Sequence, residues 1–186
     1  MAITWSRLSL EDFLKLPEAE PPLEYFRGRV RQKVVPLGEH AALQVELVLL
    51  LDRLLRPGRL ARAFSELRLT HGGASLIPGI SVYCWERIPR TPTGRIASRF
   101  VTPPDLAIEI WSPGQTIREL AEKCEWFVAS GCRVALLIDH RRETIRVFRP
   151  GAPVTVQRRG ERILLEEIAP GAALDVDAIF AALDAN

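Results

Sequence analysis

Between Asp105 and Asp139 the sequence reads DLAIEIW, then SPG, then a helix-patterned stretch opened by TIRE, then RVALLID. This segment constrains the fold more than any other. The first run is a short, mostly apolar strand, and Ser112-Pro113-Gly114 breaks it. Thr116-Ile117-Arg118-Glu119 has the spacing of a capping box, in which the threonine hydroxyl and the glutamate carboxylate each satisfy an N–H group of the first helical turn. Ile117, Leu120, Cys124, Phe127 and Val128 then share one helix face, and Ser130-Gly131 closes the helix. Arg133 to Asp139 is apolar almost throughout, as a central strand covered on both faces must be. Strand, helix and strand in this order imply a parallel pair joined by a right-handed crossover. The expected class is α/β, with helices packed on a mixed sheet.

The remaining elements extend that unit. Ser9 to Asp12 carries a short-helix start and Pro17 to Pro22 ends it. Leu23–Arg27 and Arg29–Val35 flank Gly28 as a hairpin, with Arg29, Arg31 and Lys33 on one face of the second arm and Val30, Gln32 and Val34 on the other. Glu39 to Leu55 is a long helix, apolar nearly all round over Leu47–Leu51, which predicts burial on more than one side. Leu60 to Thr70 alternates as one strand, a turn follows at His71-Gly72-Gly73, and a second strand runs from Gly79 to about Trp85. Ile88 to Arg99 is a long loop rich in proline and arginine. Short strands at Thr144–Phe148, Val154–Arg158 and Ile163–Glu167 precede a helix around Ala178–Leu183. A chain of 186 residues, 47% of them hydrophobic, suits one domain with three parts: residues 1–37, a core over 38–140, and a β extension over 141–186.

Composition narrows the function classes. No run of about 18 apolar residues is present and the N-terminus lacks a signal pattern, so a cytoplasmic protein without a membrane partner is expected. Cys84, Cys124 and Cys132 are odd in number and lack CxxC spacing, which disfavours both a disulfide framework and a zinc site. A net charge of +2 says little about nucleic acid, so the distribution of charge must decide. The stripe Arg27, Arg29, Arg31 and Lys33 is either a contact for a DNA backbone or a charged edge that discourages sheet aggregation.

One residue in the central strand demands an explanation. Alternation places Asp105, Ala107, Glu109 and Trp111 on one face, so Glu109 is a carboxylate inside an apolar strand and needs a cation, hydrogen bonds or a metal. Lys123 falls at the margin of the apolar face of the following helix and can reach back to the sheet. From periodicity alone, a structural Glu109–Lys123 ion pair is an adequate reading.

The stretch PPDLAIEIWSPG followed by EKCEWFVASGC and LLID, together with LEYFRGRV and EHAALQVEL, resembles the Uma-two family of restriction-endonuclease-like proteins in the PD-(D/E)XK nuclease superfamily. The resemblance spans most of the chain. It implies a restriction-endonuclease-like core of order α-β-β-β-α-β and a metal-dependent DNA endonuclease that hydrolyses phosphodiester bonds with Mg²⁺ or Mn²⁺. It further implies that Glu109 is the metal-binding strand acid and that Lys123, displaced onto the helix from position 111, which is Trp111 here, positions the attacking water. Glu24 and His40 match further polar positions of the pattern, and Glu66 lies in the strand expected beside the site.

The sequence departs from the family at Pro78-Gly79, where the motif proline is followed by a metal-binding aspartate. Asp105 also follows a proline, but four strand residues set it about 13 Å from Glu109, too far to share an ion, so Glu66 is the better substitute. The alternative function is therefore a catalytically inactive nuclease-fold protein that binds nucleic acid or a protein partner. A homodimer is the remaining expectation for its assembly.

Overall fold

The computed structural model describes residues 8–184. A one-turn helix α1 (Leu10–Phe13) is capped by Ser9, whose hydroxyl oxygen accepts the Asp12 N–H. A hairpin of β1 (Leu23–Phe26) and β2 (Arg29–Gln32) follows, then the long helix α2 (Gly38–Leu55). The chain continues through β3 (Ala61–Ser65), a second hairpin of β4 (Leu69–His71) and β5 (Ala74–Leu76), and β6 (Ile80–Cys84). Next come β7 (Leu106–Ile110), α3 (Ile117–Ala129) and β8 (Val134–Asp139). The C-terminal part comprises β9 (Thr144–Phe148), β10 (Thr155–Gln157), β11 (Arg162–Leu164), β12 (Ala173–Asp175) and α4 (Val176–Phe180). No helix among the described residues is long and apolar enough to cross a membrane.

Six strands form the central sheet in the order β10-β9-β8-β7-β6-β3, and β7–β8 is its one parallel pair. The capping box predicted at Thr116 and Glu119 is formed, with both reciprocal bonds present, and it opens the helix that links those two parallel strands. A smaller antiparallel sheet, β2-β1-β5-β4, brings the N-terminal hairpin against the inserted β4–β5 hairpin.

Period-two alternation sorts the central strands into two cores. Ile80, Val82, Leu106, Ile108, Leu136 and Ile138 face α2, where Leu43, Leu47, Leu51 and Leu55 are fully buried against them. Ala107, Ala135 and Leu137 face α3, which supplies Leu120, Cys124 and Phe127, and Leu69 and Leu76 of the smaller sheet complete that core. Each large buried aliphatic side chain contributes roughly 1.5–3 kcal/mol, so both faces help to hold the sheet.

Three expectations need correction. The single strand read over Leu60–Thr70 is two strands in different sheets, because Glu66 adopts a left-handed conformation (φ 50°) and donates its N–H to Gly79 O at 3.2 Å. Glu66 therefore lies at the corner after β3, and alternation alone cannot reveal such a corner. The hairpin arm β5 and the short β12 were not expected from the pattern. Helix α2 is not enclosed on several sides, since Val45 and Leu49 are 62% and 42% exposed on its outer face. A run of apolar residues is longer than the arc the sheet covers.

Candidate active site

The site forms where β6 begins and β7 ends. These strands are antiparallel with Ile80 opposite Ile108 and Ser81 opposite Ala107. Continuing the register by one residue sets Gly79 across from Glu109. The two isoleucines face α2, so both Gly79 and Glu109 turn to the α3 side. A Cβ at position 79 would stand 3.3 Å from Ile108 O, its one close neighbour.

Glu109 is 4% exposed, and its Oε1 has no hydrogen-bond donor. Its cation is Lys123, whose ammonium lies 3.6 Å from Glu109 Oε1 and donates to Glu24 Oε2 at 2.5 Å. Glu24 is held in turn by the smaller sheet, and its Oε1 accepts the Ile77 N–H at 2.7 Å. Burial pushes the Glu109 carboxyl above its usual range, opposed by Lys123 and reinforced by Glu24. Burial alone would lower the Lys123 pKa, but the Glu109 and Glu24 carboxylates outweigh it and hold the ammonium protonated. Lys123 thus neutralises two carboxylates from two sheets.

A second set of side chains clamps the segment that leads into β6. Lys33 donates to Ile77 O at 2.9 Å and pairs with Glu66. Gln44, from α2, donates to Glu66 Oε1 at 2.8 Å and to Gly79 O at 2.9 Å. With Glu24 on Ile77 N, this holds the backbone of Ile77 and Gly79 by four site side chains or their main chain. Gln44 was missed in the sequence; its position one turn after His40 on the same helix face was the available signal.

His40 is buried at the start of α2 and its Nδ1 is 2.7 Å from Ser112 Oγ, just past β7. Burial, helped by nearby Lys33, lowers its pKa from 6.5 to about 4, so the ring is neutral at pH 7. Its Nε2 has no partner, nor does the buried Ser81 Oγ two residues after Gly79. The structure brings Glu24, Glu109 and Lys123 together, joins Lys33 and Glu66 at Gly79, and holds His40 through Ser112. Trp111 turns away, its Nε1 donating to Gln115 O.

Much of the basic stripe is turned to internal use. Arg27 pairs with Glu122 at 3.1 Å and Arg31 with Glu119 at 2.5 Å, tying β2 to α3. Arg29 is exposed and forms no ion pair among the described residues. Asp105 is fully buried between Arg87 and Arg133 and accepts the Cys84 N–H, which makes it a structural anchor away from Glu109.

Comparison with known proteins agrees with this architecture. The sequence model of Uma2, described as "Putative restriction endonuclease", matches residues 10–177. The chain belongs to the Uma2 family. A crystal structure of a "putative nuclease" from Anabaena variabilis is similar at 38% identity and a TM-score of 0.91, covering 95% of this chain and 99% of that one. No curated protein sequence matches this chain.

The Uma2 resemblance implies a divalent ion, and the donor set does not fit one held by two strand carboxylates. Such an ion takes several oxygen ligands. No group of three histidine, cysteine, aspartate or glutamate side chains converges for a metal among the described residues. Position 79, across from Glu109, has no carboxylate, while Lys123 occupies Glu24 and Lys33 occupies Glu66.

Proposed function

We propose that this Uma2-family protein binds DNA at the Glu24–Glu109–Lys123 site without cutting it efficiently. The observation that supports this reading is Gly79 across from Glu109: the strand pair that should offer two carboxylates offers one. Lys123 supplies a point charge for a backbone phosphate, and Arg27, Arg29 and Arg31 lie on the exposed hairpin where a duplex can compete for them, because surface ion pairs are weak. Such binding is electrostatic and falls steeply with salt.

The test is incubation of the purified chain with single-stranded, double-stranded and branched DNA in Mg²⁺ and Mn²⁺, alongside salt-dependent binding. The expected result is binding that Lys123→Ala weakens, no cleavage by the wild type, and metal-dependent cleavage gained by Gly79→Asp. Gly79→Ala, which meets the same Ile108 carbonyl, controls for folding. Metal-dependent cleavage by the wild type that Glu109→Ala abolishes would overturn the proposal in favour of an active endonuclease. Absence of salt-sensitive binding would remove DNA as the partner.

A further inference from the structure

Helix α2 carries apolar residues on two opposite sides. Leu43, Leu47, Leu51 and Leu55 face the sheet, and at 100° per residue Ala42, Val45 and Leu49 fall on the reverse side. Val45 is 62% and Leu49 42% exposed, and Leu37, the N-cap residue of the same helix, is 51% exposed. Single exposed apolar residues are ordinary, but a stripe along one helix marks a contact surface.

We propose that this stripe docks a second copy of the chain, α2 against α2 in antiparallel register about a two-fold axis level with Leu47. The pattern is self-complementary in that arrangement. Val45 meets Leu49 of the copy and Leu49 meets Val45, while Ala41 and Ala42 face the longer Arg53 and Asp52, so the helices can approach closely. Charge complementarity fixes the direction. Glu39 and Arg53 are exposed on one flank of α2, and neither has an ion-pair partner among the described residues. The two-fold keeps that flank on the same side and brings Glu39 beside Arg53 of the copy, twice. A parallel dimer would set like charge against like, and it would lose the favourable antiparallel alignment of the helix dipoles.

Sedimentation velocity and light scattering on the full chain over a concentration series test this. The expected species is a dimer of the 20.9 kDa chain. Leu49→Arg is expected to give a monomer whose circular dichroism and unfolding midpoint match the wild type. Glu39→Arg should raise the dissociation constant roughly tenfold, and adding Arg53→Glu should restore it. A wild type that stays monomeric at its highest soluble concentration overturns the proposal. So does a dimer that Leu49→Arg leaves intact, which would place the contact elsewhere.

Discussion

The two faces of the six-stranded sheet are built from the same strands, residue by alternate residue, yet they are different materials. The α2 face is continuous hydrocarbon from Leu43 to Ile138. The α3 face begins the same way, with Ala107, Leu137 and Phe127, and then gives way to Glu109, Lys123 and Ser81 where β6 starts and β7 ends. The first face is what stabilises the fold. The second gives up some of that burial to hold charged groups in low dielectric, where each must be paired and where a phosphate or cation would feel it most strongly. Charges placed at such a cost are better explained by recognition or chemistry than by stability.

The largest effect that separates the faces is removal of the shared cation. Lys123→Met strands Glu24 and Glu109 and should cost about 3–5 kcal/mol in urea unfolding near neutral pH. The folded-state Glu109 carboxyl already titrates above its unfolded value, so the strain it causes grows as pH rises through that range. Stability of the variant should therefore recover as pH falls. Glu109→Gln should change stability by no more than about 1 kcal/mol, since a neutral amide removes the buried charge. On the other face, Leu47→Ala should cost roughly 2–5 kcal/mol with no such pH dependence. Equal pH profiles for Lys123→Met and Leu47→Ala would erase the contrast between the faces.

A smaller effect sits where the two faces meet. His40 takes a proton near pH 6.5 when unfolded but only near 4 when folded. The stability contributed by its neutral form is complete above pH 6.5 and is lost as pH falls towards 4, on the order of 3 kcal/mol. His40→Gln should flatten that part of the stability curve, and an unchanged slope would assign it to other groups. Smallest of all, Arg31→Ala breaks a half-exposed pair with Glu119 and should cost less than about 1 kcal/mol, with the difference shrinking at high salt.

Much of the fold was legible because its signals are local. The capping box at Thr116, the apolar face of α3 and the run over Val134–Asp139 each depend on neighbours within a turn or a strand. Lys123 was also readable as a residue able to reach back to Glu109, because helix geometry fixes where it points. The corner at Glu66 was not readable, since its left-handed backbone leaves the side-chain alternation undisturbed. Gln44 and the Glu24–Lys123 contact were hidden for another reason: 99 residues separate the members of that pair, and no periodicity spans such a distance.

By itself the sequence determined the α/β class, the order of the core elements, and the isolation of Glu109 in an apolar strand, because burial must follow the period of each element. It also carried the glycine at position 79. Only the tertiary structure decided what that glycine means. Register places it across from Glu109, Lys123 closes the gap between two sheets, and Lys33 and Gln44 hold the segment that leads into β6. Pairings of this kind are set by strand register and by packing between elements distant in the chain, which local pattern cannot encode.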